Sequence, residues 1–374
     1  MVLNTTIIMS NNSSVIQIPV YRPFMSGREK EYVCQCLDTK WISSKGEFVG
    51  RFERGFSEYI KVKHSSTVSN GTVALHIALA ALGIGAGDEV IVPTFTYIAS
   101  VNAIAYVGAT PIFVDAEQEF WNIDPDKIIE KITPKTKAVM IVHIYGAPCE
   151  VDKIADICKK HNLLLIEDVA EAFGSKYKGQ FAGSFGDIAT FSFFGNKTIT
   201  TGEGGMVVSN QKSLIDRVSF LKSQAVSASK EYWHDEIGYN YRMTNICAAI
   251  GVAQLEQADD IILKKRYIAD LYKSELAGTS ITFQKDAPYI VNTFWMISIL
   301  AQNQEIRDRI RLKLRDNGIE TRPFFYPAHM MPAFRQNDTY PVAESLSERG
   351  INLPSYPDLD TEQIKYICSI IKTF

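Results

Sequence analysis

The sequence predicts an α/β protein: a mostly parallel sheet sandwiched by helices, followed by a smaller C-terminal α+β domain. Three observations carry this reading. From about residue 66 to 210, short apolar runs alternate with helical stretches. The runs are apolar at nearly every position rather than at every second one, so both faces of the sheet are buried, as in parallel sheets fed by crossover helices. After about residue 245 the alternation gives way to long helical segments separated by isolated strands.

Taken in order, residues 1–16 are polar and lack the cationic start and long apolar core of a secretory leader, so they read as an N-terminal extension. Residues 17–245 form the expected large domain and residues 246–374 the smaller one. TVALHIALAAL is a helix capped by Ser69 or Asn70. The strands are EVIVPT, TPIFVDA, AVMIVHIYG, LLLIEDVA, ATFSFF and GGMVVSN, with VDKIADICKKHN as one of the helices between them. GIGAG at 83–87 follows a helix and precedes a strand, the reverse of a dinucleotide fingerprint, and reads as a turn. The smaller domain starts with AAIGVAQLEQADDIILKKRYIADLYKSELAG, one long helix or two abutting ones. Strands at SITFQ and TFWMISIL, the helix EIRDRIRLKLRDNG, the segment IETRPFFYP and a terminal helix TEQIKYICSIIKTF follow.

Composition removes several functions. The chain has 374 residues, 46% hydrophobic and 22% charged, with a net charge of -3, so no basic excess is present to neutralise nucleic acid. No apolar run approaches the ~20 residues of a membrane span. The six cysteines read as reduced thiols of a cytosolic protein. The six histidines are scattered, without the spacing of a metal site.

In parallel sheets, ligands bind beyond the carboxyl ends of the strands. Four groups of polar residues stand there. SNGT at 69–72 places Asn70, Gly71 and Thr72 at a helix start, where free amides and the helix dipole suit a phosphate. The plainer reading is an ordinary cap. PTFTYIAS places Tyr97 after a strand, as core or as a flat cover for an aromatic ligand. Asp168 closes LLLIED, where it suits a metal, a cap or a cationic ring nitrogen. FSFFGNKTITTGEGG places Ser192 and Lys197 beyond another strand. Lysine forms Schiff bases with aldehydes, although most of the 39 Lys and Arg are surface charges. Together, a phosphate cup, an aromatic, a carboxylate and a lysine make a pyridoxal phosphate site.

The segments IEDVAEAFGS, TFSFFGNKTITTGEGGMV and IGYNYRMTNICAAIGVAQLEQ resemble the DegT/StrS family of nucleotide-sugar aminotransferases, over about residues 17–374. That resemblance implies the fold-type I architecture, whose chain order of phosphate turn, aromatic, Asp and Lys this sequence matches. It also implies roles. Lys197 carries the cofactor, Asp168 pairs with its ring nitrogen, and Gly71, Thr72 and Ser192 hold its phosphate. Tyr97 covers the ring, and Asn240 reaches the cofactor of a second subunit in a homodimer. Glu171 stands where many relatives carry His or Gln. Within the family, WISSKGEFV, TVSNGTVALH and FFGNKTITTGEGG are most similar to members that aminate C4 of GDP-4-keto-6-deoxymannose with glutamate. Lys45, Arg322 and His329 are the candidate contacts to the sugar and diphosphate.

The alternatives are a dTDP- or UDP-linked 4-keto-6-deoxyglucose as substrate, a sugar dehydratase of the same family, and a regulatory protein that binds the cofactor without turnover. The dehydratases usually carry His at the lysine position, and this chain carries Lys197.

Overall fold

The computed structural model describes residues 17–25 and 27–374; the N-terminal extension read at 1–16 lies outside them. The first part of the chain carries strands β1 (His64–Val68), β2 (Glu89–Pro93), β3 (Thr110–Val114), β4 (Thr136–Val142), β5 (Leu164–Asp168), the short pair β6 (Lys176–Tyr177) and β7 (Gln180–Phe181), then β8 (Ile188–Ser192) and β9 (Gly205–Ser209). Its helices are α1 (Arg28–Asp38), α2 (Glu47–Ile60), α3 (Gly71–Ala81), α4 (Ala99–Tyr106), α5 (Pro125–Ile128), α6 (Val151–His161), α7 (Lys212–Leu221) and α8 (Asn245–Glu256). Seven strands form one sheet in the order β1-β9-β8-β5-β4-β2-β3. From β8 to β3 every pairing is parallel, and β9 alone runs against both its neighbours.

The apolar runs are buried on both faces because successive side chains of a strand point to opposite sides. On β4, Ala138, Met140 and Val142 face a core shared with α3, α4 and α7. Val139 and Ile141 face the opposite layer, with Ile154 and Cys158 of α6. Further along that layer, Phe48, Phe52 and Phe56 of α2 and Ala248, Ala249 and Val252 of α8 cover Phe191 and Met206. This is the sandwich expected. Among the described residues no helix is long and apolar enough to cross a membrane.

The second part holds α9 (Ala258–Glu275), α10 (Gln304–Asp316), α11 (Pro341–Arg349) and α12 (Thr361–Ile371), with strands β10 (Thr282–Phe283), β11 (Ile290–Val291), β12 (Ile297–Leu300), β13 (Arg322–Pro323) and β14 (Gly350–Leu353). An antiparallel sheet β10-β12-β14-β13 packs with α9, α10 and α12 around Ile299, Ile310, Ile351 and Ile367. The long helical segment is indeed two abutting helices, broken at Gln257. Because α8 belongs to the first core while Ile268 and Tyr272 of α9 belong to the second, we propose that the division between domains falls within α9 rather than at residue 245.

Two departures from the expected elements matter for the site. TFWMISIL is a strand only over Ile297–Leu300, because Phe294 takes a left-handed φ of 50° and turns the chain. The chain also crosses back: β11 pairs with β6, and Phe324, Ala328 and Leu346 pack in the core of the large sheet.

Candidate active site

Asp168 ends β5, the central strand of the sheet, with β4 on one side and β8 on the other. It is 4% exposed. One carboxylate oxygen accepts from Ser100 Oγ at 2.7 Å and the other from the Ala170 amide at 3.0 Å. Burial raises its pKa, and the hydrogen bonds from Ser100 and Ala170 oppose that. Three residues on, buried Glu171 accepts from the Tyr145 amide at 2.8 Å. Burial pushes Glu171 up to about 7, against the pull of Lys197 and the Tyr145 N–H.

Lys197 sits in the loop after β8, and its charge is felt by both carboxylates. It forms no ion pair among the described residues; its Nζ lies instead 3.8 Å from the centroid of the Trp295 ring. Burial lowers its pKa while Glu171 and Asp168 raise it. A lysine in such a place reaches its neutral, nucleophilic form more readily than a solvated one.

The α3 N-terminus completes the cluster. Asn70 is its cap, accepting from Val73 N at 3.0 Å, as one of the two expected caps does. The amides of Gly71 and Thr72, at the first two helical positions, have no acceptor within the helix. A Cβ on Gly71 would lie 2.6 Å from Ser192 Cβ, so glycine is what lets the helix start abut Ser192. Loop amides, a dipole end and a hydroxyl thus share one spot, suited to an anion.

The other expected residues are placed less uniformly. Tyr97 lies in the turn between β2 and α4, just before Ser100 of that helix, with its ring exposed and 5.6 Å from that of Phe325. Asn240 is exposed and accepts from Arg242 at 3.2 Å. Lys45 is exposed in a cleft with Trp41 and Asn245 that shares no residue with the cleft around Lys197. Arg322 is an exposed residue of β13 paired with Glu320 at 2.5 Å. His329 is buried; Nδ1 is 2.8 Å from Thr94 Oγ1 and Nε2 3.2 Å from Glu344, so neither ring nitrogen is free for a substrate. Ser100, Tyr145, Lys265 and Trp295 went unread in the sequence. Ser100 was within reach, as a polar residue in the first turn of the helix that follows β2, two strands from β5 in the sheet. The other three are set by contacts far apart in the chain.

Comparison with known proteins gives the family. A GDP-perosamine synthase of Escherichia coli O157:H7 is 59% identical over 358 residues, spanning 96% of this chain and 98% of that protein. A GDP-perosamine synthase of Vibrio cholerae is 53% identical over 362 residues, spanning 96% and 99%. Among solved structures, the aminotransferase from Psychrobacter cryohalolentis matches with a TM-score of 0.89 at 31% identity, covering 94% of this chain and 97% of that one. The pattern of one family matches residues 23–372. The chain belongs to the DegT/DnrJ/EryC1/StrS aminotransferase family.

Proposed function

We propose that the protein is a pyridoxal-phosphate-dependent aminotransferase that moves an amino group from glutamate to C4 of GDP-4-keto-6-deoxymannose, giving GDP-perosamine. The observation that carries the substrate is the 59% identity, over nearly the whole of both chains, to a GDP-perosamine synthase. The chemistry rests on the Lys197, Asp168 and Gly71 cluster. Cytoplasmic nucleotide-sugar synthesis for a surface polysaccharide such as O-antigen is the setting this reading implies.

The site fits pyridoxal phosphate. The cup between Gly71 and Ser192 admits no Cβ on residue 71, and Lys197 forms no ion pair with a carboxylate among the described residues. When bound, the cofactor supplies an aldehyde carbon and a ring that accepts electrons. The amides of Gly71 and Thr72 and the Ser192 hydroxyl would hold its phosphate. Asp168, fixed by Ser100 and Ala170, would keep a proton on the ring nitrogen, and Tyr97 would cover the ring. Lys197 would take the aldehyde and, once freed, carry a proton to and from the reacting carbon. Glu171, buried against the same lysine, completes the cofactor's surroundings.

A homodimer is part of the proposal. The segment before Asn240 presents Tyr232 at 97% exposure and Ile237 at 85%. A second copy would cover it and bring Asn240 to the partner's site. Lys45, exposed beside Trp41, is a candidate for the diphosphate.

The test is a comparison of kcat/KM for 4-keto sugars carried by GDP, dTDP and UDP, with glutamate as donor and the product identified by mass and NMR. The GDP-mannose-derived substrate should be preferred at least tenfold, as expected where a site hydrogen-bonds a particular base. Preference for a dTDP- or UDP-linked sugar would overturn the substrate and leave the aminotransferase standing.

A further inference from the structure

We infer that Trp295 is a positioning residue for Lys197, carrying the amine on the face of its ring and tethering the preceding peptide through its indole N–H. The inference rests on the reading of Lys197 as the reacting amine. Two contacts from one side chain converge there. The ring centroid is 3.8 Å from Lys197 Nζ, and Nε1 donates to the Asn196 carbonyl at 2.7 Å. The side chain therefore grips both ends of the lysine, its backbone root and its tip.

Trp295 is itself held from three directions. It is 5% exposed, and its carbonyl accepts from the buried ammonium group of Lys265 on α9 at 3.0 Å; the same Nζ also donates to the Ser355 carbonyl. The Tyr145 ring lies parallel to it, 6.3 Å away. The turn that presents it passes over Gly146, where a Cβ would lie 2.9 Å from Trp295 N and 2.6 Å from Asn292 Oδ1. Tyr145, next to that glycine, gives its amide to Glu171, so one junction sets both the carboxylate and the ring that flank Lys197.

The chemistry requires such a surface. An amine that must be freed and re-engaged needs a place to rest that holds it loosely. A carboxylate there would trap it as a tight ion pair. An indole face attracts the ammonium form, is apolar, and offers no competing acceptor. The charged groups around Lys197 are Asp168 and Glu171 on one side; Arg22 and Lys265 share the cleft behind the ring.

The experiment measures the Lys197 amine directly in cofactor-free protein, from the pH dependence of its acetylation read by peptide mass spectrometry. Three forms are compared: wild type, Trp295→Leu, and wild-type sequence with fluorinated tryptophan throughout, which keeps the shape and weakens the ring face. Trp295→Leu should lower the Lys197 pKa by about one unit. Fluorination should lower it in step with the number of fluorines. In the holoenzyme, Trp295→Leu should cut kcat about tenfold or more with the KM for the sugar nearly unchanged, and Trp295→Phe should restore most of it. An unchanged or raised Lys197 pKa in both altered proteins overturns the inference. If Trp295→Leu does not fold, the fluorinated series decides alone. No substrate enters the labelling, so a wrong sugar assignment leaves this result unaffected. A wrong assignment of the lysine would show separately as turnover surviving Lys197→Ala.

Discussion

The strand-end cluster of the large sheet and the segment from about residue 290 to 355 meet at Lys197, yet they are built by different rules. In the first, each polar residue follows its own strand or starts its own helix: Asp168 after β5, Ser192 and Lys197 after β8, Gly71 at α3. Short-range sequence decides where such residues go, because the parallel sheet gathers all its carboxyl ends on one edge. In the second, position is decided by packing against remote parts of the chain. Trp295 reaches Asn196, Lys265 reaches across to Trp295 and Ser355, and His329 is absorbed by Thr94 and Glu344. Strand-end position is therefore a guide to chemistry, whereas a charged residue in the second segment is as readily a structural one.

The sharpest test of this contrast is Lys197→Ala. Turnover should fall about 10,000-fold or more, the upper range for loss of a positioned acid–base group that also carries the cofactor. A steady-state assay with glutamate and the keto sugar measures it. Asp168→Asn should come next, with a loss of about 100- to 1,000-fold in kcat and an unchanged fold by circular dichroism, since the amide cannot hold a proton on a ring nitrogen. A change confined to KM for the sugar would mean that Asp168 serves the substrate instead.

Gly71→Ala probes the cup. The added methyl would meet Ser192 at 2.6 Å, so either side chain or helix must shift. Overpacking of about 1–3 kcal/mol should appear as cofactor affinity lowered roughly 10- to 100-fold, measured by fluorescence titration. Normal affinity would remove the cup from the phosphate site.

Lys265 tests the second region by pH. Burial lowers its pKa to about 7, so in the folded protein it sheds its proton near there, while in the unfolded chain it keeps it to about 10.5. Between those values the unfolded state binds more protons, and this residue makes the protein more stable as pH rises. The unfolding free energy of wild type minus that of Lys265→Met should therefore increase from pH 7 to 9, by at most about 1.4 kcal/mol per unit. A flat difference in urea melts would show that Lys265 stays charged on its two carbonyls. The smallest effect should be that of Arg322→Ala. An exposed ion pair contributes about 0–1 kcal/mol, and kcat/KM should stay within about threefold. A large loss of activity there would break the comparison, since a charge of the second segment would then serve the substrate.

The sequence by itself determined the class of fold, the alternation of strands and helices, and the places of Lys197, Asp168, Gly71 and Ser192 at strand ends and a helix start. It could do so because a strand buried on both faces leaves a continuous apolar signature and a fixed direction, and the residue at its end inherits the site. Glu171 was legible as a position three residues after Asp168, but its company was not, since Tyr145 reaches it only through a left-handed turn at the end of another strand. Tertiary structure alone decided that TFWMISIL would break at Phe294 and deliver Trp295 beneath Lys197. It alone paired Arg322 with Glu320 and His329 with Glu344, and placed α8 in the core of the large sheet. The physical reason is the range of the interactions. Hydrophobic periodicity and capping act within a few residues and are written locally. The partner of a buried amine or imidazole is whichever group packing brings within 3 Å, here 30, 90 and 235 positions away.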